Sequence, residues 1–65
     1  MRVKYFRDTD TLYISFKDSP IVDTRDLDEN TVVEFDADGK LCAITVEHAS
    51  ERADIPYFSF EQVAA

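Results

Sequence analysis

"TVVEFDADGKLCAITVE", residues 31–47, contains two runs in which apolar and polar side chains alternate. In the first run Val33 and Phe35 share one face, and in the second every other residue from Cys42 to Val46 does so. A period of two residues is typical of a β-strand with one buried face. The intervening "DADGK" has the turn residues of a tight hairpin, with its glycine at the position that needs a left-handed backbone. This stretch therefore predicts two antiparallel strands joined by a type I turn.

The acidic turn also resembles part of a calcium-binding loop. When Gly39 is aligned with the glycine of an EF-hand, Asp36 and Asp38 occupy two ligand positions. The first ligand position then falls on Glu34, inside a strand, and the last falls on Thr45, which has no carboxylate. Two of the four side-chain ligands are therefore wrong, and the hairpin is the preferred interpretation.

Alternation predicts more strands towards the N-terminus. "RVKYF" (2–6) and "TLYISFK" (11–17) alternate clearly, and the polar "RDTDT" between them has the length of a hairpin loop. Pro20 follows the second strand and cannot donate to a ladder. "IVDTRDLD" (21–28) is the weakest strand, and its three acids suit an edge position, where charge discourages unwanted pairing.

Short loops between five predicted strands favour an antiparallel meander. The fold class is predicted to be α+β, mainly β: a five-stranded antiparallel meander sheet with a short C-terminal helical segment. The sheet would span residues 1–47 and the helical segment and tail residues 48–65, in a single small domain, 1–65. Its apolar face is predicted to consist of Val3, Tyr5, Leu12, Ile14, Phe16, Val33, Phe35, Ile44 and Val46.

The C-terminal third has a different pattern. "EHASERAD" (47–54) favours one or two helical turns, which Pro56 would end. "SFEQVAA" (59–65) has Ser59 followed three residues later by Gln62, the pattern of a capping box, and predicts a short terminal helix. The tail is rich in aromatic residues, so we expect it either to cover the sheet or to dock on a second copy.

The small size of the chain limits its stability. A chain of 65 residues buries about 60% of its unfolded surface, which roughly balances the entropy of ordering it. One cysteine, Cys42, excludes an internal disulfide, and the absence of a Cys/His cluster argues against structural zinc. Self-association or a protein partner is therefore the expected support, and we expect a homodimer. Cys42 is predicted to be a small buried apolar residue, because it lies on the apolar face of the fifth strand. A nucleophilic role is not expected, because no lysine or arginine adjoins it to favour the thiolate.

The charge of the chain is uneven. The formal net charge is −7, and residues 26–40 have six acids against Lys40 alone. The bases are dispersed, so no direct binding of nucleic acid is expected, whereas an acidic region attracts a basic protein. No apolar run is long enough for a signal peptide or a membrane span. A single thiol fits a reducing compartment, and we expect a cytoplasmic protein with no membrane contact.

Catalytic chemistry is poorly supported. His48 is the single histidine, and Glu47, Ser50 and Glu51 lie beside it, which leaves open a small-ligand or metal site and, more weakly, a hydrolase. No glycine-rich elbow precedes Ser50, and the segment is better explained as the start of a short helix. We therefore expect no enzyme, no cofactor and no committed metal site. The candidate interaction surface comprises Tyr13, Asp26, Asp28, Glu29, Phe58 and Phe60.

Residues 3–52 resemble a small bacterial family, domain of unknown function 2283. That family combines a Y-x-x-x-x-D-x-L-Y-I-like strand pair, a Thr-Arg strand, the acidic Gly turn and an Ala-Ser segment. The sequence departs from it at Ala43, Glu47 and His48, and the last departure weakens a catalytic role for this histidine. The matching residues are Tyr5, Asp10, Leu12, Tyr13, Ile14, Thr24, Arg25, Val33, Phe35, Asp36, Asp38, Gly39, Leu41, Ile44, Val46, Ala49 and Ser50.

The resemblance implies a protein with no assigned activity. Genes of this family are thought to lie beside small, basic, toxin-like ribonucleases, so the resemblance also implies an antitoxin-like role. A non-enzymatic protein-interaction module is accordingly the leading hypothesis, and the His48 site is the alternative.

Overall fold

The computed structural model describes residues 1–64. Within them, five strands form one antiparallel sheet. The predicted number, type and pairing sense of the strands are confirmed. The order of the strands across the sheet is β1-β2-β5-β4-β3. The strands are β1 (Arg2–Phe6), β2 (Thr11–Ser15), β3 (Asp23–Asp28), β4 (Thr31–Phe35) and β5 (Leu41–Glu47).

The prediction of a simple meander is wrong, because β5 lies between β2 and β4. Three strand spacings, about 14 Å, separate β2 from β3, and the seven residues 16–22 can extend over about 23 Å. The connection is therefore long enough to cross the end of the sheet. This order pairs β2 directly with β5, with Leu12 opposite Val46 and Ile14 opposite Ile44.

One face of the sheet is apolar, as the alternation predicts. Residues opposite each other in neighbouring strands point to the same side, and the register matches Val3 with Ile14 and Val33 with Ile44. Phe16 lies just beyond β2 and is exposed. The residues that define this apolar face are Val3, Tyr5, Leu12, Ile14, Val33, Phe35, Cys42, Ile44 and Val46.

The turn between β4 and β5 is the predicted glycine hairpin. The Gly39 amide donates to the Asp36 carbonyl at 3.0 Å, and Gly39 has a φ of 76°. The Asp36 carboxylate accepts the amides of Asp38 (2.9 Å) and Lys40 (3.0 Å) and pairs with the Lys17 ammonium. This carboxylate therefore stabilises its own turn, which agrees with the hairpin interpretation rather than the calcium loop.

The helical expectations are wrong, so the fold is mainly β rather than α+β. The segment after β5 forms a single 3₁₀ turn, Ala49–Glu51. Residues 59–64 contain no helix, and Ala65 lies outside the described residues. A helix of about seven residues is marginal unless tertiary contacts support it, and the exposed tail supplies few.

The buried core of residues 1–64 is small. It consists of Val33, Cys42, Ala43 and Ala49. Cys42 and Ala43 point to opposite faces of the central strand, and both are almost fully buried, which confirms the expectation for the thiol. Many larger apolar residues remain exposed, especially along the tail and at the ends of strands. The sheet is therefore only partly covered by its own chain.

Candidate functional site

The C-terminal tail, residues 53–64, passes over the apolar face on the side of β1 and β2. A pocket of about 740 Å³ lies between this tail and the sheet, and we refer to it as the tail pocket. Its floor is formed by Val3, Tyr5, Leu12 and Ile14. Its other wall is formed by Ile55, Pro56, Tyr57, Phe58 and Phe60.

The aromatic residues of the tail do not close this pocket. Tyr57 is 83% exposed, Phe58 65% and Phe60 69%, although all three line the pocket. Scattered exposed apolar residues are ordinary, but three aromatics beside an open apolar pocket form a contiguous patch. Phe58 and Phe60, both nominated from the sequence, lie in this exposed patch.

Asp10 fixes the chain where it leaves β5. Its carboxylate accepts the Tyr5 hydroxyl (2.6 Å), the Ser50 hydroxyl (2.6 Å) and the Ser50 amide (3.0 Å). The Asp10 carbonyl also accepts the Ala49 amide at 2.9 Å. Asp10, rather than Ser50 or His48, therefore caps the 3₁₀ turn. The sequence does not indicate this role, because Asp10 and Ser50 are 40 residues apart.

These hydrogen bonds shift two titrations in opposite directions. The pKa of Asp10 lies below its usual value, chiefly because the Ser50 hydroxyl and then the Tyr5 hydroxyl donate to the ionised carboxylate. The pKa of Tyr5 is raised, chiefly because its hydroxyl donates to Asp10 and would lose that bond on ionisation. Asp10 therefore stays ionised and Tyr5 stays neutral near neutral pH.

Arg52 anchors the beginning of the tail. Its guanidinium donates to both carboxylate oxygens of Asp28, at 3.2 and 3.0 Å, and to the Thr31 hydroxyl at 2.5 Å. The pKa of Asp28 is lowered, first by the Asn30 amide and then by Arg52. Asp28, nominated as a surface residue, is therefore engaged within its own chain.

The outer edge of β3 is acidic and exposed. β3 is the outermost strand on one side of the sheet, which confirms its predicted edge position. Within residues 1–64, the carboxylates of Asp26 and Glu29 take part in no hydrogen bond or ion pair. Arg25 is largely exposed, and its guanidinium pairs with Asp23 at 2.8 Å and lies 5.2 Å from the centre of the Phe35 ring. We call β3 and the turn to β4 the acidic edge.

The nominated surface residues do not form one patch. Tyr13 lies on the face opposite the apolar face, between Lys4 and Thr45, and is half-buried. Asp26 and Glu29 lie at the β3 edge, whereas the aromatic tail lies over β1 and β2. The structure therefore separates the nominated residues into an acidic edge and an apolar patch, with Tyr13 in neither.

His48 occupies an exposed turn. Its backbone has a φ of 54°, and its Nδ1 lies 3.7 Å from a carboxylate oxygen of Glu51. The Ser50 hydroxyl donates to Asp10 rather than to this imidazole. Across residues 1–64, no three His, Cys, Asp or Glu side chains converge as metal ligands would.

The family model described as "Protein of unknown function (DUF2283)" matches residues 2–50. The chain belongs to this family. The match confirms the resemblance and covers all five strands of the DUF2283 protein, ending at Ser50, so the Asp10–Ser50 contact lies within it and the aromatic tail lies beyond it. No curated protein and no solved structure matches the chain. None of the helical residues described forms a segment long and apolar enough to cross a membrane.

Proposed function

We propose that this DUF2283 protein is a non-enzymatic protein-interaction module whose acidic edge binds a basic segment of another protein. The observation on which the proposal rests is the exposed edge strand β3, with the free carboxylates of Asp26 and Glu29. In the antitoxin-like form of the proposal, the partner is a small basic toxin.

The backbone of an edge strand supports this mode of binding. An edge presents unpaired amide and carbonyl groups, to which an extended segment of a partner can add as a further strand. Lysine or arginine side chains of that segment would then meet Asp26 and Glu29. The wider negative field of residues 26–40 would speed the encounter.

The hydrogen bonds of the acidic side chains also support a binding role. Asp10, Asp28 and Asp36 accept hydrogen bonds from their own chain and hold its turns. General acid or base catalysis needs a titrating group directed towards a substrate, usually in a sheltered site. The tail pocket is lined mainly by apolar side chains, which suits contact better than proton transfer.

The proposal is tested by co-expressing the protein with the product of the adjacent gene and measuring complex formation. The double variant Asp26→Lys/Glu29→Lys should weaken the complex by about tenfold or more, because like charges would then face each other. Asp28 should not be included, since its loss would also release Arg52. Binding by the parent protein should weaken as salt is raised.

Asp8→Lys is the control, with a change in net charge half that of the double variant. Asp8 is an exposed acid in the loop after β1, at the other edge of the sheet, and its reversal changes the net charge in the same direction. A complex that tolerates the double variant as well as it tolerates Asp8→Lys would refute the acidic edge as the binding surface. A toxic neighbour whose activity is unaffected by this protein would refute the antitoxin-like form.

A further inference from the structure

The chain exposes more surface than a folded monomer of its mass should. Its accessible surface is 5260 Å² for a mass of 7.5 kDa. Folded monomeric proteins of this mass expose about 4,250 Å². The excess, about 1,000 Å², exceeds the roughly 800 Å² that each partner contributes to a standard protein–protein interface.

Much of the exposed apolar surface lies around the tail pocket. Tyr57, Phe58 and Phe60 are largely exposed there, and Val3 on the pocket floor is also exposed. The tail is fixed at its start by Arg52 but buries none of its aromatic rings. A surface of this kind is stabilised when another apolar surface covers it.

The charge of the molecule limits which surface two copies can share. Each copy has a net charge of −7, so most pairs of surfaces repel. Asp54 is the one charged side chain among the residues that line the tail pocket. Two copies can therefore approach through this patch with less repulsion than through the acidic edge.

We propose that the tail pocket is filled by a second copy of the chain, in a symmetric homodimer in which each aromatic tail packs into the pocket of its partner. The same patch then serves both copies, as two-fold symmetry requires. Phe58 and Phe60 of one copy lie against the apolar residues of β1 and β2 of the other. This covers apolar surface that the chain's own small core leaves open.

This arrangement goes beyond the proposed function and does not rest on it. The dimer contact uses the β1 and β2 side of the sheet, whereas the acidic edge lies at the opposite side. The homodimer therefore leaves two acidic edges free. A partner with two basic segments would gain affinity by engaging both edges at once.

Light scattering of the purified parent protein measures the oligomeric state. The proposal predicts a mass of about 15 kDa, twice the 7.5 kDa of one chain. Phe58→Ser/Phe60→Ser should shift the mass to that of a monomer. Leu27→Ser is the matched control, because Leu27 is as exposed as Phe60, at 69%, but lies in β3, and this variant should remain a dimer.

A parent protein that is monomeric at high micromolar concentration overturns the proposal and leaves the pocket to a small apolar ligand or another protein. A second measurement needs no variant. In a dimer mixed from isotope-labelled and unlabelled chains, filtered NMR should detect contacts between the Phe58 or Phe60 ring of one copy and the Leu12 and Ile14 methyls of the other. A dimer without these contacts overturns the proposed interface.

Discussion

Asp10 and Gly39 occupy equivalent left-handed positions in two hairpins. Asp10 has a φ of 52° and donates its amide to Arg7, while Gly39 has a φ of 76° and donates its amide to Asp36. Glycine adopts this conformation without strain, whereas aspartate adopts it at some cost. The side chain of Asp10 offsets that cost by binding Tyr5 and Ser50. The sequence predicted the glycine turn because turn chemistry is local, but it did not predict the aspartate's distant partners.

Gly39→Ala should destabilise the protein through its backbone alone. No atom lies within 4 Å of the position that an added Cβ would take, so the substitution causes no clash. The left-handed conformation costs a residue with a Cβ about 1 kcal/mol or more, which lowers the melting temperature of a small domain by about 5 °C. Gly39→Asn should lose less, because asparagine tolerates this conformation better. Equal melting of the parent and alanine proteins in a thermal scan would refute this assignment.

The Asp36 carboxylate should account for part of the stability that the folded protein loses at low pH. Its pKa is lowered to about 2, first by the Lys17 ammonium and then by the Lys40 amide. Because the folded pKa lies below the unfolded one, the stabilisation is present above about pH 4 and is lost as the pH falls towards 2. Asp36→Asn retains the oxygen that accepts the turn amides but removes the charge. Unfolding by denaturant should therefore depend less on pH between about 4 and 2 in this variant.

Asp38→Asn is the control for that experiment. It removes a carboxylate from the same turn, but within residues 1–64 the Asp38 side chain accepts no hydrogen bond. It should leave the acid sensitivity of the parent protein in place. An Asp36→Asn protein with the parent's pH profile would show that the Lys17 pair does not contribute.

The strands were the most predictable elements. Alternation locates four strands, and the acids of the fifth, β3, predict its edge position, because strand periodicity and edge charges are local features. The strand order was not predictable in the same way. It depends on β5 pairing with β2 through the 16–22 connection, which is a contact between distant segments. The predicted terminal helix failed because a capping pattern alone does not stabilise so short a helix.

The 3₁₀ turn depends on contacts made far along the chain. Ser50→Ala removes the hydroxyl that donates to Asp10 and should loosen the turn without unfolding the sheet. The Ala53 amide, which donates to the Ala49 carbonyl at 2.8 Å, reports on this turn. Its hydrogen exchange should become faster by about tenfold, as expected for one lost hydrogen bond to a charged group.

Ser59→Ala removes a hydroxyl from the exposed tail, where it makes no hydrogen bond within residues 1–64, and serves as the control. It should leave the exchange of Ala53 unchanged. If Ser50→Ala also left that exchange unchanged, the Asp10 contact would not be what holds the turn.

Composition alone predicts that the molecule has a small core and an excess of negative charge. The sequence also nominates individual surface residues, of which Asp26, Glu29, Phe58 and Phe60 are exposed. It could not separate Asp28 from these acids, because the Arg52 that engages Asp28 lies 24 residues away. Nor could it place the tail over β1 and β2, since that depends on how the chain turns after β5.

Hydrogen exchange of the complex with the adjacent gene's product tests whether the partner binds at the acidic edge. Both β1 and β3 are edge strands, but β3 alone has the free acids, so β1 is an internal control. On complex formation, the outward-facing amides of Asp23–Asp28, which do not bond to β4, should gain protection, while those of Arg2–Phe6 keep the exchange rates of the free protein. Protection at β1 with none at β3, or no complex at all, would show that the acidic edge is not the binding surface.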